Sequence, residues 1–391
     1  MTEAEKVVSW SGRKRIKAAF THSSVDRVPR FDQTVSSRVA TAVMGREMLV
    51  GSGSLRFREV EERFLSDEAG AEFEEKMLKD VVDFYRVMGY DMVRMPWRDR
   101  RKATRKIDQC TYLFGDDSGN EPWEICRFNP DSDDWHSMDT WLAGGNVEKL
   151  CAYLEKERQN WQGPQKSTTL LEELKKLRSL AGYDIAVATS VAMLMIPMWE
   201  PAWLMALELA PDLVEDEFER QTEQGIADLY LVAESGVDVN HSGGDFCLNT
   251  GPVYSPATFD RIVLPRLKRI VEASNKVGIP YVYRTDGNTW PVAESLLGKS
   301  GIHGYGEIDY GAGMRLRELR ARFPRLTLVG NIDCGAVLIL GTPEEVRRKT
   351  RENLEDTGGI GHIFGASNAV MAQTPPENYL AMLDEADRFR P

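Results

Sequence analysis

A chain of 391 residues, 42% hydrophobic and 28% charged, is long enough for one large α/β domain and can bury a substantial core beneath a polar surface. Its formal net charge of −12 argues against a nucleic-acid partner, because phosphate binding calls for a basic surface. No run of about 18 apolar residues is present, so no membrane span is expected. The opening "MTEAEKVVSWSGRKRIKAAF" has no apolar signal core, and Cys110, Cys126, Cys151, Cys247 and Cys334 show no CxxC spacing, so reduced thiols and a cytoplasmic location are expected.

In chain order, residues 1–80 read as an N-terminal helical extension, with one short strand near "RVPRFDQ". The stretch "EAGAEFEEKMLKDVVDFYRVMG" has apolar residues at helical spacing, and a strand at 90–96 follows it. The basic runs "RKRIK" and "RDRRKATRK" are expected to be solvated faces. Residues 100–145 carry a turn, "GDDSGN", between two strand-like runs, which predicts an inserted β-hairpin. Helical patterns follow near 147–160 and 168–180.

From "YDIAVATS" onward the pattern alternates. Strands are predicted at 184–190, 237–241, 280–284, 303–308, 326–332 and 361–365. Helices are predicted between them at 199–210, 213–235, 257–277, 291–299, 314–323 and 343–356. Ser255, Thr342 and Thr374, each followed by proline, read as helix caps. Strict alternation predicts a parallel sheet, and about eight strands suit a (β/α)₈ TIM barrel formed as one domain over 1–391. An open doubly wound sheet is the alternative, weakened by the lack of a GxGxxG after any strand.

In a barrel, functional side chains gather at the C-terminal strand ends. Those ends carry Arg94 and Trp97, then Met195 and Trp199 in a Met- and aromatic-rich stretch, then His241, Asp245 and Cys247. Arg284 and Asp286 follow, two residues apart and so on one face of a strand. His303, Tyr305, Glu307, Asp309, Asn331, Asp333, Cys334, His362, Ser367 and Asn368 complete the set. Each has an ordinary structural reading; the accumulation at six consecutive strand ends favours a site.

The segments "SPATFDRIVLPRLKRIVEASNKVGIPYVYRTDGN", "LVGNID", "GTPEEVR" and "TPPENYLAML" together resemble the uroporphyrinogen decarboxylase superfamily, most strongly from about Ala227 onward. That superfamily includes the decarboxylases of haem biosynthesis and cobalamin-dependent methyltransferases, and the resemblance implies a (β/α)₈ barrel. The Arg-rich motif of the decarboxylases falls on a region carrying Arg27, Arg30 and Arg38, their catalytic Asp is missing near Pro96–Trp97, and their His falls on Asn368. The zinc-binding H-x-C pair of the thiol-methylating branch falls on Arg284-x-Asp286, and its later Cys falls at or next to Asn368.

The resemblance therefore implies a methyltransferase with an altered centre. It would pass a methyl group from a methyl ether or methylamine to cobalamin held by a corrinoid protein. Asp286, Glu307 or His241 is expected to supply the acid. Arg284 is expected either to fix a substrate carboxylate or to hold Asp286 ionised. Asp245, Asn331, Asn368, Trp97, Met195 and Trp199 are expected to line the substrate. Zinc is allowed for on Asp286, Glu307, Cys334 and His241, although the H-x-C motif is replaced, and a homodimer is allowed for. The rival readings are a decarboxylase and a non-catalytic corrinoid- or partner-binding barrel.

Overall fold

The structure, a computed structural model, describes residues 10–119 and 121–391; the first nine residues of the expected N-terminal extension lie outside it. Seven parallel strands run side by side in the order Met92–Arg94, Ala186–Thr189, Val239–Gly243, Tyr281–Arg284, Gly304–Gly306, Thr327–Val329 and His362–Ile363. The segment 29–31 joins the two edges. The Phe31 amide donates to the Phe364 carbonyl at 2.9 Å, and the Asp91 amide donates to the Arg30 carbonyl at 3.0 Å. The sheet thus closes on itself, with helices outside, as strand–helix alternation predicts for a TIM barrel.

Alternation along the strands sorts the barrel interior into levels. Phe31, Met92, Ala186, Ala188, Val239, Val282, Val329 and Ile363 form one apolar interior cluster. Ile16 and Ala19, from the helix Gly12–Phe20, pack into the same cluster and close its floor. Two residues beyond Met92, Val239 and Val282 stand Arg94, His241 and Arg284. The strand period itself therefore carries these polar side chains inward, one level above the apolar plug.

The basic runs are solvated in the main, as expected, but two of their arginines are drawn inward. Arg15 of "RKRIK" bonds Asp26 and Asp91, and Arg13 bonds Asp238. Arg98 is buried between Glu59, Glu74 and Glu173. Carboxylates from distant elements hold these cations, a pairing that local composition does not reveal. Asp91 is the hub of the N-terminal segment: its carboxylate accepts from Arg15, from Arg27 and from the Arg30 amide at 2.8 Å.

The region 100–145 is larger than a hairpin. Arg105–Lys106, Thr111–Phe114, Glu124–Asn129 and Asp134–Thr140 form a four-stranded antiparallel sheet. Its aromatic face, Tyr112, Phe114, Phe128 and Trp135, packs on Val60 and Phe57 of the helix Ser52–Leu65. Ser255 and Thr342 cap their helices as expected. Thr374 does not; the last helix begins at Pro376, so Pro375 takes the capping position and the Thr374 hydroxyl is left aside.

Asp91 is 1% exposed, and its loss removes the anion shared by the half-buried Arg15 and Arg27 and the acceptor of the buried Arg30 amide. Asp91→Ala is expected to lower unfolding stability by roughly 3–5 kcal/mol, read as a fall in the denaturant midpoint. An unchanged midpoint would contradict its role in closing the barrel.

Candidate active site at the barrel mouth

Five side chains from four segments form a continuous polar chain over the apolar plug. Arg284, at the end of its strand, pairs with Glu307, its Nη1 lying 3.2 and 3.3 Å from the two carboxylate oxygens. The Gln33 amide donates to Glu307 and also to Asn368 Oδ1 at 2.7 Å. Asn368 Nδ2 in turn donates to Asp286 Oδ2 at 2.6 Å. Two carboxyl groups are thus linked through two amides.

Local backbone explains how Glu307 enters this group. Gly306 faces inward, where an added Cβ would lie 3.1 Å from His241 Nε2. Simple alternation would send residue 307 outward. Instead Glu307 adopts the left-handed region at φ +55°, a costly conformation for a side chain of its size, and reaches Arg284. The expected Arg284–Asp286 pair does not form, because Glu307 takes the guanidinium.

Burial and charge then separate the two carboxyls. Asp286 is pushed up to about 8 by burial, by Glu307, Asp245 and Asp309 nearby, against the Asn368 hydrogen bond. Glu307 is also raised by burial, but Arg284 opposes the shift. At neutral pH Asp286 holds its proton while Glu307 has a cation to stabilise its charge. Of the two roles expected for Arg284, the ion pair that would hold Asp286 ionised is not formed; the guanidinium pairs with Glu307.

His241 is 2% exposed and lies 3.4 Å from Arg94 Nη1 through Nδ1. Burial, Arg94 and Arg284 lower it well below the usual imidazole range, so the ring is neutral. A guanidinium can only donate, which makes Nδ1 the acceptor and places the ring proton on Nε2. That Nε2 has no partner among the described residues. His241 is thus a spare hydrogen-bond donor and a poor proton acid.

Other expected residues distribute as follows. The Arg284 guanidinium lies 5.7 Å from the centre of the Trp97 ring, and Asp245 keeps one carboxylate oxygen buried and unpartnered among the described residues. Met195 stands beside Gly244, just beyond its strand end. Trp199 is 63% exposed on a loop, away from the polar chain. Asn331 is turned outward, donating to the Ile308 carbonyl at 2.9 Å and accepting from Asn353 at 2.6 Å. Cys334 is buried against Ser367 and the Asn368 amide, and burial pushes its thiol up to about 12.

The expected zinc ligands do not assemble. Among the described residues no group of three or more His, Cys, Asp or Glu side chains is placed to hold a metal. Arg284 occupies Glu307 and Arg94 faces the His241 nitrogen, so cations already stand where a metal would need anionic or neutral donors. The residues present do not fit zinc.

Arg94, named above only as a strand-end residue, and Gln33, not named at all, join the site. Strand alternation gives Arg94 its place: in the buried triplet Met92–Arg94 it shares the inward face with Met92. Gln33 follows an irregular segment, where no period applies. The arginines of the N-terminal region do not reach the centre: Arg27 serves Asp91, Arg30 serves carbonyls of Met88, Gly89 and Leu383, and Arg38 serves the Pro130 carbonyl.

The raised Asp286 fixes the sign of a pH effect. Its folded value, about 8, exceeds the unfolded value near 3.8, so its contribution is complete below 3.8 and is lost as pH rises through 8. Asp286→Asn is expected to gain thermal stability relative to the parent progressively from pH 5 to pH 8. A difference that does not change with pH would show that Asp286 is ionised throughout.

The family described as Uroporphyrinogen decarboxylase (URO-D) matches residues 167–389, more than half of the chain. A uroporphyrinogen decarboxylase of Syntrophotalea carbinolica is 26% identical over 185 residues, covering 46% of this chain and 50% of that protein. One from Streptomyces coelicolor is 34% identical over 125 residues, covering 32% of this chain and 33% of that protein. The chain thus spans half or less of the length of these curated relatives. A solved structure described as a methyltransferase from Methanosarcina mazei shares the fold over 97% of this chain and 99% of its own, with a TM-score of 0.65 and 18% identity. The chain belongs to the uroporphyrinogen decarboxylase family.

Proposed function

We propose that this chain is a methyltransferase of the family, moving a methyl group from a small methyl ether or methylamine to a corrinoid carried by a separate protein. The observation that carries this reading is the half-buried Asp286 carboxyl, held by Asn368 Nδ2 at 2.6 Å and pushed up to about 8 by burial and by the neighbouring carboxylates. Methyl transfer from oxygen or nitrogen leaves the bonding electron pair on that atom, which then needs a proton. Asp286 supplies it, and Asn368 holds the carboxyl in place. Glu307, fixed by Arg284 and Gln33, keeps Asp286 protonated through its own charge.

The reduced corrinoid supplies the nucleophile that accepts the methyl group. The protein's part is to present the methyl toward the mouth and to donate the proton. Trp199, in the turn before the helix Pro201–Leu209, and Leu248, in the short strand Cys247–Leu248, are exposed apolar side chains that a carrier protein would contact. No zinc step is invoked, because the residues do not fit that metal.

The two inward arginines favour one second reading, a decarboxylase in which a guanidinium grips the departing carboxylate. The products separate the two. Single-turnover mixtures with a methylated donor and reduced corrinoid are expected to form methylcorrinoid and to release no CO₂. Asp286→Asn is expected to slow transfer by roughly 10²- to 10⁴-fold. Release of CO₂ without methylcorrinoid, or full activity in the variant, would overturn the reading.

A further inference from the structure

A cavity of about 520 Å³ is lined by Arg94, Trp97, Ser190, Leu170 and Leu174 among others, and its Trp97 ring lies 5.7 Å from the Arg284 guanidinium. That size suits a small organic ligand. Four arginines reach its wall: Arg94, Arg98, Arg100 and Arg101. Three are satisfied by carboxylates, Arg98 by Glu59, Glu74 and Glu173, Arg100 by Glu173, and Arg101 by Asp99 and Glu124.

Arg94 is the exception. It is 4% exposed, and its contacts are the Met95 carbonyl at 3.2 Å and the neutral His241 ring. No carboxylate lies within ion-pair distance of it among the described residues. Arg284 stands close enough to repel it, and burial and that repulsion lower Arg94 to about 9. A buried cation without an anion is costly, and structures retain such an arrangement where a ligand completes it. The Ser190 hydroxyl, without a partner among the described residues, lines the same cavity, and His241 Nε2 and Arg284 Nε are likewise unpartnered among the described residues.

We propose that Arg94 anchors a carboxylate of the substrate, so that the methyl donor is a small methylated acid whose apolar body lies along Trp97, Leu170 and Leu174. A guanidinium fork matches a carboxylate in two hydrogen bonds, and the indole and leucine walls suit a ring or short hydrocarbon. The anchor is distinct from Arg284, whose charge Glu307 already meets. The word donor rests on the methyl-transfer reading; the anion site does not, and binding alone tests it.

The test measures binding of 4-methoxybenzoate and of neutral methoxybenzene to the full chain by calorimetry, without corrinoid. The parent is expected to bind the acid at least 10-fold more tightly than the neutral ether. Arg94→Met is expected to lose about 10- to 100-fold of acid affinity while leaving the ether unchanged, and Arg94→Lys to lose less. Because the variant removes an unmatched buried charge, its melting temperature is expected to stay level or rise. Equal affinity for acid and ether in the parent would overturn the proposal. So would an Arg94→Met or Arg94→Lys protein that melts lower yet keeps the parent's acid preference, since Arg94 would then be structural.

Discussion

Two guanidinium groups at one level of a barrel mouth repel each other, and the site follows from how that repulsion is managed. Arg94 and Arg284 both project inward because both end strands whose preceding inward residue is apolar. Only one receives an internal anion among the described residues. Glu307 leaves the regular strand geometry to reach Arg284, and in doing so places its charge near Asp286. That neighbouring charge, with burial, keeps the Asp286 proton in place. A proton donor and an unmatched cation are therefore two consequences of one pairing choice.

The scaffold beneath this group is rigid in a way that serves it. The apolar plug and the helix Gly12–Phe20 close the barrel floor, so the polar level above it faces solvent only through the mouth. Asp91 ties the N-terminal segment to the barrel at the same edge where segment 29–31 completes the sheet. That segment leads directly into Gln33, so closing the barrel also delivers the amide that joins Glu307 to Asn368. Sites supported by regular elements and second contacts of this kind hold their geometry well.

Regular periodicity was the legible part of this sequence. Strand–helix alternation predicts the barrel, and period-two alternation places Arg284 at its mouth. The same rule, applied to Met92–Arg94, points to Arg94 as well. What escapes it is whatever leaves the regular backbone. Glu307 owes its position to a left-handed residue, and Gln33 lies in an irregular segment. Asn331 lies beyond the end of its strand at Val329, and its side chain is consumed by Ile308 and Asn353. The departures at Arg284, Asp286 and Asn368 from the zinc pattern were visible as residue types. Their consequence, cations standing where a metal would sit, needed three dimensions.

The most direct test of the central geometry is a crystal structure of the protein with a methylated aromatic acid bound. The carboxylate is expected on Arg94, with the ring along Trp97 and the methyl-bearing heteroatom within hydrogen-bond reach of Asp286. A ligand bound the other way round, with its carboxylate against Asp286 and Arg284 and its methyl group buried toward Arg94, would contradict methyl transfer at this site.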